Sequence, residues 1–592
     1  MPLKSRYMEE RRRLRELADE FAEDDPRLAH FLGSEASDPD VERLMDGFAF
    51  LTAKLAMKID DHLPEITQPL LQLVYPNFLR PLPSVTLVRF DPIDHALSES
   101  QLIPKGTTLF SRPVDGVNCT FRTCTDVTLY PLVIDEICHI DSADKSIVHI
   151  DLGALTEQPL RQLDCDRLSF HLGGAASNAL TLYQWLSQHL HKVVLHINDH
   201  RYSLPPATLT FAGFEPGEAL LPSPGEHLDG YRLIQEYFYF PQRFHGFNLT
   251  ELRRYWPDAA AEHIRLELRF DAPFPNGFQL DRDSLSLYCT PAINLFDHPA
   301  RPIPLDGQAV CEAVQPSGRQ AQAYEIFSVD KVATRRRDTQ TSQDQQSLEF
   351  APYEALPRRV ERAEERSAHY YSVTLEQDLI KERARHVIRL LHGDQRPYRG
   401  QQQTLNIDLT CCNGNLPLQL DIGDINLTTQ ATPSFATYRN LTRPTRCYPP
   451  ALDDDLHGDV QWVLLSNLAL NDLSLSCADA LKAVLQVYDF VAPYDLQHKR
   501  ATQRRLNAIE HASTAPTDWL IKGLPVRGML TTLRVNPNAF DNEGDLQLFG
   551  SVLSHFMALY ASSNSFHQLE IINSVRNTSF VWPARTGQQP VM

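Results

Sequence analysis

The chain of 592 residues contains no run of about 18 consecutive apolar residues, so no membrane-spanning helix is expected. No apolar stretch of the signal-peptide kind follows Met1-Pro2-Leu3-Lys4-Ser5-Arg6; the sequence runs directly into a charged helical pattern. Ten cysteines are scattered without a CxxC pair, the usage of a reducing compartment and weak ground for disulfides or metal. A cytoplasmic location is expected. Basic residues are in deficit: 56 Lys and Arg against 75 Asp and Glu leave a formal net charge of -19. That balance opposes nucleic acid, whose phosphates require Lys and Arg, and equally an anionic membrane surface.

Signatures of chemistry are also missing. Gly173-Gly174 follows a strand-like run, yet neither GxGxxG nor a GxxxxGK phosphate loop occurs there, and no GxSxG elbow is found. His189, His191, His196 and His200 crowd together, but no Cys or carboxylate stands at zinc-finger spacing beside them. They read as surface or core histidines. Adjacent cysteines such as Cys411-Cys412 bond only through a strained ring, so buried inert thiols are the stronger reading. Asp453-Asp454-Asp455 lacks the spacing of an EF-hand loop and reads as a solvated acidic loop. The expectation is a non-enzymatic chain with no catalytic residue, no metal and no cofactor.

What is present is material for several folded units. Hydrophobic residues make up 42% and charged residues 22%, which excludes the disordered class. At roughly 150 residues per domain, about four units are expected. Residues 1–82 read as a helical bundle segment. Tyr7, Leu14, Leu17 and Phe21 form one stripe, and Asp38-Pro39 starts a second helix whose face carries Val41, Leu44, Met45, Phe48, Thr52, Leu55, Ile59 and Leu63. A third helix with Ile66, Leu70, Leu73 and Val74 stops before Pro76.

After Pro83, short alternating runs with Pro, Gly and Asp punctuation predict β-rich, sandwich-like domains over 83–310, with one helix near Ala179 to Leu190. Residues 311–475 read as a second β-rich domain. Its stretch 331–370 holds Arg335-Arg336-Arg337 and a run of mixed Glu and Arg, and reads as a long polar loop. Residues 476–592 read as a C-terminal α/β piece, with helices at Ala478 to Tyr488 and along Leu546, Phe549, Leu553, Phe556 and Tyr560. The fold class is therefore α+β and multidomain. Tyr237 to Phe244 is the densest apolar run. Consecutive aromatics predict a strand buried on both faces and ended by Pro241, or a protein interface, in preference to a stacking platform.

Several blocks carry a resemblance that runs nearly end to end. They include Asp38 to Leu44 with Gly47-Phe48-Ala49-Phe50, then Asp60-Asp61, Leu63-Pro64-Glu65 and Tyr75-Pro76 to Arg80-Pro81. Ile103-Pro104-Lys105-Gly106-Thr107 and Phe121-Arg122-Thr123 follow, and Gly230 to Phe238 through Phe240-Pro241 is the most specific block. Pro291 with Asn294-Leu295-Phe296, Pro302-Ile303, Cys411 with Asn413 and Leu416-Pro417, Trp462 to Leu475 and Asn564-Ser565-Phe566 complete it. Together they resemble the TssF (VasA, ImpG) family of type VI secretion systems. Ile103 to Thr123 is also similar to wedge proteins of contractile phage baseplates. Two positions depart from the family pattern: Asn467 stands where histidine is expected, and Gly414 where arginine is.

The resemblance implies a structural subunit of the baseplate wedge. Its implied partners are a second copy of the chain, a TssG-like subunit, TssK-like and TssE-like subunits and the spike hub. The platform they form supports sheath and tube polymerisation before effector injection, docked at the inner-membrane complex. A wedge protein of a phage-like contractile tail is the alternative. No catalytic residue carries over. The expected partner interface is the helical stripe Leu14, Leu17, Phe21, Leu44, Phe48, Leu55 and Ile59, unless these helices fold back onto the chain's own domains.

Overall fold

Proline opens helix Pro64–Val74 and the short turns Pro76–Leu79 and Pro241–Phe244. The computed structural model describes residues 7–8, 10–18, 43–52 and 64–587, except 95, 98, 157, 223–228, 258–262, 309–310, 337–347, 354–368, 379–382, 394–395, 430–431, 453–459, 469–476, 522–523 and 563. Residues 10–18 and 43–52 are helical, and Arg11 Nε lies 2.6 Å from Asp46 Oδ1, joining the two segments. The longer helices that follow are α1 (Pro64–Val74), α2 (Ala176–Gln188), α3 (Asp229–Tyr239), α4 (Val460–Leu468), α5 (Ala478–Val487), α6 (Leu496–Asn507) and α7 (Glu543–Ala558). Capping fixes two of the starts. Asp495 accepts from the backbone N–H groups of Gln497 and His498 at α6, and Asn542 accepts from Asp545 at α7.

Three antiparallel sheets occupy most of the first half. One orders Ala436–Asn440, Val85–Pro92, Cys289–Ile293, Val117–Thr123 and Thr108–Val114. A second orders His200–Leu204, Leu190–Ile197, Ile264–Phe270, Ser146–Ala154 and Leu132–Asp141. The third contains Leu168–Leu172 and Gly246–Leu249 at its centre. Val85 to Val88 are buried on both faces, where simple alternation had been expected, because one side of that strand meets the core and the other the returning segment near Thr442. These sheets share one hydrophobic core with α2, α3, α5 and α7, continuous from Leu71 to Trp582.

A second, smaller core belongs to an eight-stranded sheet built from residues 296–412. Its spine is Gln401–Cys412, which pairs with Phe296–Pro299, Ile303–Asp306 and Glu325–Arg336. The polar stretch read as one loop supplies two of these strands: Glu325–Arg336 runs through the first two arginines of the triplet, and Leu348–Pro352 pairs with it. A strand needs only alternating cover on one face, so a polar run qualifies when Val332 and Phe350 point inward. The Glu/Arg run at 358–366 lies outside the described residues.

The C-terminal part is a long hairpin, Ile509–Ile521 with Leu524–Val535, followed by α7 and the parallel strand Phe566–Asn573. Strand, crossover helix and parallel strand match the expected α/β piece. With helices and largely antiparallel sheets around two cores, the fold is α+β.

Candidate functional site

The aromatic block is helical, which corrects the strand expected from it. Consecutive apolar residues cannot separate a buried strand from a buried helix. Here α3 is enclosed on every side, and Pro241 begins a short 3-10 turn through Phe244. Tyr237, Phe238, Phe240 and Phe244 are all buried, so the rings are core and form no platform. The same helix carries Arg232 and Glu236, each 1% exposed at the side chain. Glu236 Oε2 accepts from Arg232 at 2.9 Å and is also paired with Arg243, while Glu236 Oε1 accepts from the Leu220 backbone. Arg243 Nη2 donates to the carbonyls of Gly213 (2.8 Å) and Glu218 (2.7 Å). Burying these charges is tolerable because the guanidinium and carboxylate groups face one another and the backbone.

Beside this cluster lies a cavity of about 340 Å³, lined by Arg167, His171, Glu218, Arg243, Asn248 and Tyr288. Arg167 and Glu218 bond each other at 3.0 Å, so the charges on its wall pair among themselves. Burial pushes His171 down to about 3, with His245 adding to the effect, and pushes His245 to about 4. Neutral histidines and mutually paired ions suit a packed interior more than proton transfer.

The other motif residues act as clasps. Gly106 takes φ +86, and its N–H donates to Thr123, whose own N–H donates to Thr107. Lys105 Nζ donates to Gly217 at 3.0 Å, and burial is the largest effect lowering its pKa. Asn294 donates to the Thr120 carbonyl at 2.7 Å and to Asn413 Oδ1 at 2.8 Å, joining the first sheet to the second core. Asn467 is buried, and Tyr231 donates to its carbonyl at 3.3 Å.

The histidine group does not converge. His189 meets Asp271 at 3.0 Å, His196 meets Glu267 at 2.7 Å, and His191 and His200 are exposed. Cys411 and Cys412 are both buried but face opposite sides of their strand: Cys411 joins the smaller core and Cys412 the larger. Burial, with neighbouring Cys412 and Asp330 adding, pushes the Cys411 thiol up to about 12. Asp453, Asp454 and Asp455 lie outside the described residues. Among the described residues one trio of possible metal ligands does come together, Glu325, Cys412 and Cys447, which sequence spacing could not show.

The expected interface residues divide by placement. Leu17 is 52% exposed, Leu44 73% and Phe48 59%, whereas Leu14 is half-buried. Phe21, Leu55 and Ile59 lie outside the described residues. Helix α1 forms where the third helix was expected and ends before Pro76. Its buried positions include Thr67, Gln68 and Leu71, while Leu70, Leu73 and Val74 point outward. The reason is hydrogen bonding: Thr67 donates to Gln461 of α4 at 2.7 Å, and Gln68 exchanges two bonds with the Leu375 backbone. Trp462 and Val463 of α4 are exposed as well. Sequence reasoning expected an outward stripe on the first two helices but did not extend it to Leu70, Leu73, Val74, Trp462 and Val463, because which face of a short helix is covered depends on its neighbours. Among the described residues no helix is long and apolar enough to cross a membrane.

Comparisons with known proteins converge. The family model described as type VI secretion system, TssF, matches residues 2–589. The type VI secretion system component TssF1 of Pseudomonas aeruginosa (strain PAO1) is 30% identical over 632 aligned residues, covering 99% of this chain and 98% of the relative. A chain in the TssK-TssF-TssG baseplate subcomplex, solved by cryo-electron microscopy, is similar with TM-score 0.75 and 28% identity. That match covers 93% of this chain and 99% of the other. A chain of the type VI baseplate complex shares the fold, with TM-score 0.65 and 24% identity, covering 99% of this chain and 100% of the other.

Proposed function

Since the chain belongs to the TssF family of the type VI secretion system, a baseplate component, we propose that it is a structural subunit of the baseplate wedge. It binds a TssG-like subunit and, in the same subcomplex, a TssK-like one, by likeness to the solved assembly. A second copy of the chain, a TssE-like subunit and the spike hub complete the wedge, which is cytoplasmic and supports sheath and tube growth. The role is architectural and not enzymatic. Residues 1–82 serve as the assembly segment, which joins the partners to a body made of the large core and the smaller core of 296–412.

One observation carries this reading: helices near the N-terminus turn apolar residues to solvent and polar ones inward. Leu17, Leu44, Phe48 and Leu73 are exposed, as is Trp462 on the adjoining α4, while Thr67 and Gln68 of α1 are buried. Large exposed apolar patches mark protein interfaces, and packing such faces together is how bundles gain stability. In the sequence pattern, Leu14, Phe21, Leu55 and Ile59 belong to the same expected interface stripe.

Co-expression with TssG-like and TssK-like partners tests it, using Leu17→Glu, Phe48→Glu and Leu73→Glu. These side chains already face water, so each change should alter the stability of the lone chain by only about 0.5 kcal/mol. In the interface, an unpaired charge would be buried at a cost of several kcal/mol. The variants should therefore stay soluble, keep the wild-type Tm and fail to retain the TssG-like partner. Full retention by all three would refute the assignment.

A further inference from the structure

Glu325, Cys412 and Cys447 come from three distant points of the chain and meet where the two cores join. Glu325 opens the strand Glu325–Arg336, Cys412 closes Gln401–Cys412, and the two are direct register partners. Cys447 arrives on the segment that returns to the first sheet, where Tyr448 bridges to Leu82. The three ligand atoms all lie within 4.8 Å of one another. Cys412 Sγ and Cys447 Sγ are 3.9 Å apart, and Cys447 Sγ is 3.9 Å from Glu325 Oε2. Both cysteines are buried and Glu325 is half-buried.

We propose that Glu325, Cys412 and Cys447 bind one zinc(II) ion that ties the smaller core to the larger. Two sulfurs and a carboxylate form a ligand set that zinc accepts readily. Tetrahedral zinc with bonds of about 2.3 Å to sulfur holds its sulfurs about 3.8 Å apart, close to the observed spacing. With a bond of about 2.1 Å to oxygen, the sulfur–oxygen separation is about 3.6 Å, so the Glu325 carboxylate closes by about 0.3 Å on Cys447 Sγ and also draws in towards Cys412 Sγ, from which it lies within 4.8 Å. Gly414, at φ +55, makes room for it: a Cβ there would lie 2.8 Å from Glu325 Oε1. As zinc enters, the two thiol protons leave to solvent, and the two thiolates with the carboxylate outweigh the metal's charge by one. Zinc's fourth position is left for a water. A disulfide would require the same sulfurs to close to about 2.0 Å.

The test uses the full chain, purified with reductant and without chelator. Elemental analysis should find one zinc per chain, lost in Cys412→Ser and in Cys447→Ser but kept in Cys477→Ser, a change at an exposed cysteine. If the two core variants are insoluble, cobalt(II) titration of the wild-type chain decides. A tetrahedral cobalt spectrum with thiolate charge-transfer bands, displaced by added zinc, supports the site. Three results would overturn it: no zinc and no such cobalt spectrum; zinc retained by all three variants; or Cys412 and Cys447 joined as a disulfide in thiol-blocked protein prepared without reductant.

Discussion

A side chain enclosed on all sides contributes through contact area and through the partners of its polar atoms, and α3 supplies both. Phe238 and Phe240 are 4% and 2% exposed, so truncating either ring to alanine should cost about 3–5 kcal/mol, read as a shift in the denaturant midpoint at unchanged slope. Normal stability in both variants would contradict the core assignment. Glu236 makes the sharper case. Glu236→Gln leaves the Arg232 and Arg243 guanidinium groups buried against a neutral amide, at a cost of about 3–5 kcal/mol. A triple variant that also removes the positive charges, Glu236→Gln with Arg232→Met and Arg243→Met, should recover part of that loss; recovery of none would show that the carboxylate acts through shape alone. These residues were visible in the sequence as an unusual block. Their helical state shows only from Asp229 onward, where Tyr231, Ile234, Tyr237 and Phe238 recur at helical spacing opposite Arg232, Gln235 and Glu236; the consecutive aromatics from Tyr237 hide it.

At the level of elements, the helices that kept an apolar stripe were placed correctly from pattern alone. Leu481, Val484, Leu485 and Tyr488 face the core from α5 as expected, and so do Leu546, Phe549, Leu553 and Phe556 from α7. What pattern could not supply was their neighbours. The first turn of α7 meets α2 so closely that a Cβ on Gly544 would overlap the Leu180 carbonyl oxygen. Gly544→Ala should therefore destabilise by about 1–3 kcal/mol, the range for overpacking, even though alanine favours helices. Thermal melting that showed equal or higher stability would mean that the two helices separate freely. The smaller sheet teaches the converse lesson. Glu325–Arg336 and Leu348–Pro352 are rich in polar residues, and only their pairing with neighbours makes them strands.

Across the whole molecule, burial acts on several histidines at once. His171 and His555 are pushed down to about 3, and His245, His386 and His567 to about 4, each chiefly by burial. In the unfolded chain they would titrate near about 6.5. Between that value and their folded values the unfolded state binds more protons, so their contribution is full above about pH 6.5 and falls away as the pH drops towards 3–4, by at most about 1.4 kcal/mol per unit for each histidine. Calorimetry at about pH 5.5 in buffers of different ionisation enthalpy should show net proton uptake on unfolding. An unfolding heat independent of the buffer would count against buried, neutral histidines.

The division between what was legible and what was not follows from range. Composition pointed to a folded, acidic, multidomain chain, because net charge, apolar run length and local spacing are properties of the chain itself. Strand and helix texture after Pro83 was equally local, and the family blocks were readable because they are short and contiguous. The Asn294–Asn413 clasp, the Arg232–Glu236–Arg243 cluster, the outward turn of Leu70 and Leu73, and the meeting of Glu325 with Cys412 and Cys447 were decided only by tertiary structure. Partners 119 or 122 positions apart leave no periodic trace. A helix's apolar face turns outward only when a hydrogen bond such as Thr67 to Gln461, 394 residues away, holds its polar face in.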